Sequence, residues 1–260
     1  MTSSKGNQIA HIRERIVRVI AQYQNGNCAT GTGFFISSGG DLLTCFHVVF
    51  GSELRNIRTN PVYVSTVGAD EHSKLENFFN GVISFIEVEF SNGIKRRAKL
   101  KAFDEFHDAV LLELEESFET PFLKLSLDYL PEYDEAVFFC GFQLAAGYLN
   151  SKEYPFATNR GIVSSFPEVV VGGEKYVHIQ LNSINLGGNS GAPLFLQGEK
   201  DVIGIVNGNM LWGNDNLAFV NKIGGVPAFN QGSFRVPLSI AFVTPIKLIK
   251  EKTKLLDHIN

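Results

Sequence analysis

Short runs of alternating apolar and polar residues, separated by turn residues, cover most of the chain. Residues 16–23 are rich in β-branched types, and glycine-containing turns then lead through GTGFFIS to LLTCFHVV. Another hairpin is predicted where Ser91-Asn92-Gly93 separates ISFIEVEF from IKRRAKLKAF, and DAVLLEL follows as the next strand. The pattern predicts an all-β body.

The ends of the chain and two internal stretches depart from this pattern. Residues 9–15 predict a short helix, and residues 246–258 predict a second one, since their apolar positions alternate with charges at helical spacing. The polar stretch 51–81 predicts a long loop with some helix around residues 71–80. Residues 121–135 predict a linker, because they contain two prolines and several acids without clear periodicity. Strands resume at AVFFCGF, GIVSSF, EVVV, YVHIQL, APLFL, VIGIVNG and SIAFVTP.

Composition narrows the class of protein. A chain of 260 residues that is 44% hydrophobic is long enough to bury a substantial core. Its net charge of -4 gives no electrostatic footprint for nucleic acid or for an anionic membrane. The basic cluster KRRAKLK mixes charged with apolar residues, which predicts the solvent side of a strand. We therefore expect neither a nucleic-acid partner nor a membrane partner.

Cysteine usage and the absence of export signals indicate the compartment. Three scattered cysteines form no C-x-x-C unit, so we expect no bound metal, and no motif calls for a cofactor. No apolar run approaches the roughly 20 residues of a membrane span, and the N-terminus lacks a signal-peptide core. These features predict a cytoplasmic protein.

One serine lies in a glycine-rich loop and follows a histidine segment and an aspartate segment. Ser190 lies in GGNSGAP, His47 in LLTCFHVV, and Asp108 at the start of DAVLLEL. A serine hydroxyl needs a histidine to accept its proton and a carboxylate to orient that histidine. The order His, Asp, Ser is that of the chymotrypsin barrels, not of the α/β-hydrolases or subtilisins. His107 is set aside as the base, because strand neighbours point to opposite faces.

These segments resemble a trypsin-like, chymotrypsin-fold serine peptidase, and most of all the HtrA/Deg protease domain. The likeness covers residues 16–249, with GTGFFIS, LLTCFHVV, DAVLLEL, RGIVSSF, GGNSGAPLF, VIGIVNG and SIAFVTPI in family order. It implies two packed antiparallel six-stranded β-barrels, with the active site between them and a short helix at each end. We divide the chain into an N-terminal extension (1–15), a first barrel (16–122), a linker (123–135), a second barrel (136–246) and a C-terminal helix (247–260).

The resemblance also assigns roles. Ser190 would attack the scissile carbonyl, His47 would accept and return the proton, and Asp108 would hold the imidazole. The backbone N–H groups of Gly188 and Ser190 would form the oxyanion hole, where glycine permits the necessary backbone angles.

Substrate binding is assigned in the same way. The primary pocket would be floored near Ile184 and walled by residues 205–209, and Asn207 and Asn209 would hydrogen-bond an extended peptide. Without an acid at Ile184 the pocket favours small or medium apolar side chains. The long segment 210–233 borders the pocket, as either a surface insertion or a gating loop.

The chain is thus predicted to be a serine endopeptidase acting on protein or peptide substrates through an acyl-enzyme. Because the chain ends soon after its terminal helix, no PDZ module is expected. A freestanding cytoplasmic protease would endanger its host, so restricted processing under an activating protein partner is expected. Ala192, where the family often has glycine, keeps open a catalytically silent peptide-binding or scaffolding relative. Incidental ester hydrolysis is a further possibility, whereas Cys45 is interpreted as a buried filler.

Overall fold

The structure, a computed structural model, describes residues 4–51, 79–116, 118–143, 155–171, 174–213, 218–219 and 235–257.

The first barrel closes from six antiparallel strands. The strands are β1 (Ile16–Tyr23), β2 (Cys28–Phe35), β3 (Asp41–Thr44), β4 (Ile83–Glu89), β5 (Lys95–Asp104) and β6 (Ala109–Leu114). They pair in the order β1-β2-β3-β6-β5-β4, and β4 returns to β1 to close the barrel. Closure leaves no unpaired sheet edge.

The second half forms another antiparallel barrel. Its strands are β7 (Ala136–Phe142), β8 (Phe156–Ser165), β9 (Glu168–Val171), β10 (Glu174–Val177), β11 (Ile179–Asn182), β12 (Pro193–Leu196), β13 (Val202–Gly213), β14 (Ala218–Phe219) and β15 (Arg235–Pro245). The order β12-β7-β8-β11-β15-β13 closes through pairing of β12 with β13. The β9–β10 hairpin forms a separate two-stranded sheet, and β14 extends β13. The prediction of an all-β fold with two six-stranded barrels is confirmed.

Within the described residues, the helices with both ends defined are α1 (Ser4–Arg13), α2 (Phe46–Phe50) and α3 (Ile246–Lys252). The sequence predicted α1 to begin at residue 9 and α3 to continue to residue 258. Helix α3 ends sooner because the Thr253 hydroxyl donates to the Ile249 carbonyl and accepts from the Leu255 N–H, which turns the chain. Most of the helix expected around residues 71–80 lies outside the described residues, although residues 79–82 are helical.

The hydrophobic core of the first barrel continues into the second. Alternating strand residues point inward, and they pack against Phe138, Cys140 and Phe142 of β7 and against Ile246 and Ile249 of α3. A second cluster fills the other barrel. Because one core spans both halves, burial of apolar surface holds the two barrels together.

The basic cluster on β5 lies at the surface, as predicted. Ala98 is buried, while Lys95 and Lys99 pair across strands with Glu87 and Glu113. Such exposed pairs contribute only about 0 to 1 kcal/mol each. Of the described helices, none combines the length and the apolar character needed to cross a membrane.

Candidate active site

His47 lies in the short helix α2, immediately after β3. Its side chain is buried, and its neighbours Phe46 and Phe50 stack on each other at 4.6 Å and pack near Phe103. The helix ends at Gly51, whose φ of 79° suits glycine. The aromatic packing of α2 fixes the backbone on both sides of the imidazole.

Asp108 contacts His47 at two points. Its Oδ2 lies 2.7 Å from the imidazole Nδ1, and its Oδ1 accepts a 2.9 Å hydrogen bond from the His47 backbone N–H. The residue lies in the turn between β5 and β6 with φ of 53°, a left-handed conformation that aspartate adopts more readily than most residues. This carboxylate keeps the proton on Nδ1 and leaves Nε2 as the acceptor.

The loop carrying Ser190 is fixed to both barrels. The Ser190 carbonyl accepts a 2.8 Å hydrogen bond from the Thr32 N–H on β2. On the other side, the Gly191 N–H donates to Val206 of β13 at 2.7 Å. Val206 also accepts from the Cys45 thiol at 3.3 Å, which connects the loop to the residue two before His47. These bonds bring the serine loop to the histidine helix.

Glycines allow the serine loop to approach the first barrel closely. Gly188 and Gly191 have φ of 95° and 89°, which strain other residues. A Cβ on Gly191 would lie 1.9 Å from the Thr32 carbonyl oxygen, and one on Gly31 would lie 2.8 Å from the Ser190 carbonyl oxygen and 2.5 Å from Val48. Ser190 and the residue after His47 therefore contact the same point of β2.

The chain was also compared with known proteins. A family model described as "Trypsin-like peptidase domain" matches residues 31–205, which is more than half of the 260-residue chain. The chain belongs to the trypsin-like peptidase domain family. The two closed barrels agree with the chymotrypsin fold of trypsin-like peptidases. No curated protein matches the chain at a significant level.

Among the described residues of this trypsin-like peptidase domain, one cluster has the donor types of a metal site. Donor atoms of Cys45, His47 and Asp108 all lie within 4.8 Å of one another. Thiolate, imidazole and carboxylate are all zinc ligands. Each donor is already engaged, however, because Asp108 bonds His47 twice and the thiol donates to Val206. A cation would have to displace these bonds, so the cluster is better suited to proton transfer than to metal binding.

The predicted pocket residues are distributed between the surface and the interior. Ile184 is 53% exposed, while its neighbour Asn185 is buried and donates to the Gly208 carbonyl on β13 at 2.8 Å. The side-chain amide of Asn207 is buried and donates to the Thr244 hydroxyl at 2.7 Å. The backbone of Asn209 pairs with Ala241, and its side chain lies outside the described residues.

Ala192, which follows the third glycine of the serine loop, is a core residue. Ala192 is buried in the second cluster, and its N–H donates to the Asn189 carbonyl at 2.8 Å. Its φ lies outside the left-handed region, as the sequence requires of an alanine. Ala192 therefore fits this trypsin-like loop without backbone strain.

Two further histidines lie near the triad candidates. His107 is in the same turn as Asp108 rather than on a strand, so the alternation argument does not apply to it. Its Nδ1 lies 2.9 Å from the Asp104 Oδ1. Burial alone would raise the pKa of the Asp104 carboxyl, but hydrogen bonds to the imidazole and backbone N–H of His107 outweigh burial and lower this pKa. Burial lowers the pKa of His178, which follows β10, against the opposing charge of Asp108. Sequence reasoning missed His178 and Thr32, although Thr32 lies in the GTG of a segment that the resemblance used.

Proposed function

We propose that this trypsin-like domain is a serine endopeptidase that uses Ser190, His47 and Asp108 through an acyl-enzyme. The observation that carries the proposal is the double contact of Asp108 with His47, together with a serine loop bonded to both barrels. In the mechanism, Nε2 of His47 takes the Ser190 proton as Oγ attacks the peptide carbonyl. Asp108 stabilises the imidazolium, which then protonates the departing amine. Water repeats the sequence to release the acid.

The oxyanion of the tetrahedral intermediate would be held by backbone N–H groups of the serine loop. Within the described residues, neither Gly188 nor Ser190 donates its N–H to another group. The intervening Asn189 N–H and the following Gly191 N–H are both used in the protein. This alternation supports Gly188 and Ser190 as the donors, each worth about 10²- to 10³-fold in rate.

We further propose that the substrate is an extended peptide with a small or medium apolar side chain in the primary pocket. Support comes from the bond between Asn185 and Gly208, which joins the segment of Ile184 to β13. Restricted processing in a reducing cytoplasm, with an activating partner, remains part of the proposal, as does the specific likeness to HtrA/Deg proteins. Segment 210–233, predicted as either a surface insertion or a gating loop, lies largely outside the described residues, apart from the end of β13 and β14.

Covalent labelling with a fluorophosphonate probe tests the proposal. Wild-type protein should be labelled at Ser190, and Ser190→Ala and His47→Ala should abolish labelling. Asp108→Asn should slow it by about 10⁴-fold, since asparagine tolerates the same backbone but favours the wrong imidazole tautomer. Ser164→Ala removes a hydroxyl that bonds Gln180 away from the triad and should label normally.

The alternative outcomes separate the other hypotheses. Folded protein that resists labelling would identify a silent peptide-binding relative. Labelled protein that cleaves nitrophenyl esters but no member of a peptide library would identify an esterase. Unrestricted digestion of casein without any partner would contradict restricted processing. Chelation with EDTA should leave labelling unchanged, because no step uses a metal.

A further inference from the structure

Thr32 on β2 is bonded to the serine loop through both its backbone and its side chain. It is fully buried. Its N–H donates to the Ser190 carbonyl, and its hydroxyl donates to the Gly188 carbonyl, both at 2.8 Å. The hydroxyl also accepts from the Phe142 N–H of β7 at 2.9 Å, and the Thr32 carbonyl accepts from the Thr44 hydroxyl at 2.7 Å. Every polar group of Thr32 is therefore used, and two of its bonds reach the loop.

These two bonds fix alternate peptide planes of the loop. A peptide unit is planar, so a bonded carbonyl also sets the direction of the N–H on the other side of the same bond. The Gly188 carbonyl is held by the Thr32 hydroxyl, and the Ser190 carbonyl is held by the Thr32 N–H. The plane between them is set by the Ala192 N–H, which donates to the Asn189 carbonyl. The Ser190 N–H, which shares this plane, must then point in the direction opposite to the Asn189 carbonyl.

The Gly188 plane is the one that depends on a side chain. The Gly188–Asn189 peptide begins at a glycine that lacks a Cβ atom and follows another glycine, so steric hindrance to its rotation is small on that side. The hydroxyl cannot move away, because β7 packs directly on it, and a Cβ on Gly141 would lie 2.6 Å from its oxygen. The hydroxyl is thus a rigid hydrogen-bond donor to a peptide that glycine leaves free to rotate on one side.

We propose that Thr32 is a positioning residue whose hydroxyl holds the Gly188–Asn189 peptide plane, which lies between the two N–H groups of the oxyanion hole, and so keeps both in the reactive orientation before substrate binds. This inference rests on the proposed function for its catalytic consequence. Its structural part, that the hydroxyl restrains the loop, does not. Without the hydroxyl, the loop samples flipped forms that cannot hold the oxyanion, while His47 and Asp108 stay paired.

The test compares Thr32→Val, which replaces the hydroxyl by a methyl group, with Thr32→Ser, which keeps it. The matched control is Thr120→Val, since Thr120 is also buried and its hydroxyl also donates to a carbonyl, that of Ser37 at 2.9 Å, on a segment outside the site. Hydrogen exchange of the peptide covering residues 183–195 measures loop restraint. Fluorophosphonate labelling and p-nitrophenyl acetate acylation measure the catalytic effect.

In Thr32→Val, loop exchange should be about tenfold faster, since a local opening becomes easier. Labelling and the acylation rate constant should fall about 10- to 100-fold, less than the about 10²- to 10³-fold cost of losing a donor outright. The Michaelis constant for the ester and the pH midpoint of labelling should stay unchanged, because the imidazole and its carboxylate are untouched. Thr32→Ser should lie within about threefold of wild type by the same measures, as expected when the hydrogen bond is kept.

Unchanged exchange in folded Thr32→Val would overturn the inference whatever the labelling shows. Faster exchange with unchanged labelling would overturn the catalytic part. An equal loss of labelling in Thr120→Val would assign the effect to general destabilisation and also overturn it. Wild-type protein that is never labelled would refute the proposed function, and faster exchange in Thr32→Val would then still support the restraint.

Discussion

The backbone of Asp108 decides which histidine its carboxylate pairs with. His47 and His107 are both almost fully buried, and each has a carboxylate partner at hydrogen-bond distance. The left-handed turn at Asp108 directs its carboxylate to α2, while Asp104 takes His107. Because buried imidazoles without partners are costly, this separate pairing stabilises both.

His178 provides a pH prediction at the same scale. Burial lowers its pKa below the ordinary 6.5, Asp108 opposes this shift, and His107 reinforces it. His178 therefore takes up a proton near pH 6.5 in the unfolded chain but remains neutral at this pH in the folded protein. The stability contributed by neutral His178 is complete above about pH 6.5 and is lost as the pH falls toward the folded pKa.

His178→Gln cannot be protonated and should make the melting temperature less dependent on pH between about pH 6.5 and about pH 5. Thermal melts by circular dichroism across this range check the effect. His11→Gln, at an exposed position of α1, is the control and should follow the wild-type curve. If the melting temperatures of all three proteins changed with pH in the same way, His178 would not be the cause of the pH dependence.

Sequence reasoning proposed candidate residues by their chemistry and missed contacts whose role is geometric. His47, Asp108 and Ser190 were proposed because their types, order and local segments match one reaction. Thr32 bonds Gly188 across 156 positions of sequence, a contact that no local pattern contains. A threonine between two glycines on a strand gave no sign of it. Such contacts become visible only when the barrels are placed together.

Among the elements, the serine loop depends on the surface of β2 as much as on its own glycines. Gly31 lies against Ser190, and Thr32 lies against Gly191. The loop therefore requires small residues on both sides of the contact, which explains why GTG and GGNSG occur in one chain. This close contact between β2 and the serine loop lies at the same place as the hydrogen bonds of Thr32.

Gly191→Ala tests this contact, with Gly93→Ala as its control. Both glycines have left-handed φ angles, 89° and 82°, so both substitutions carry similar backbone strain, about 1 to 2 kcal/mol. A Cβ on Gly93 meets nothing within 4 Å, whereas one on Gly191 lies 1.9 Å from Thr32. Gly191→Ala should therefore destabilise by at least about 3 kcal/mol and reduce labelling at Ser190, as measured by urea denaturation and fluorophosphonate. Equal losses for both variants would contradict the close approach.

Element boundaries were predictable where turns carry their own signals. The Asn92 side chain bonds Ile94 and Gly93 has the expected positive φ, so the hairpin between β4 and β5 lies where the sequence placed it. The single strand expected over YVHIQL is instead two, because β10 leaves the barrel to pair with β9 and β11 pairs with β8. The choice of strand partner is set by packing of the whole sheet, which alternation does not encode.

At the scale of the whole molecule, the two barrels share one hydrophobic core. β7 contributes residues to the first cluster as well as to the second, and α3 packs on the first cluster from the end of the chain. Separating the barrels would expose this apolar surface to water, which is unfavourable. Unfolding of one barrel should therefore bring about unfolding of the other.

Urea denaturation should consequently show one transition by two probes. Fluorescence of Trp212, the single tryptophan, reports β13 of the second barrel, while far-ultraviolet circular dichroism reports both barrels. Coincident curves are expected for a two-state process. The Ser190→Ala variant should be used so that self-digestion does not distort the curves. Two separated transitions would show that the barrels unfold independently.

The position of β15 has a consequence for biosynthesis. The first barrel is complete at Leu114, but the second closes only when residues 235–245 pair with β11 and β13. Domains fold during translation from the N-terminus onward. A nascent chain can therefore carry His47 and Asp108 early, yet its second barrel cannot close until residues 235–245 have emerged from the ribosome. The proposed cleavage chemistry thus has to wait for the synthesis of β15.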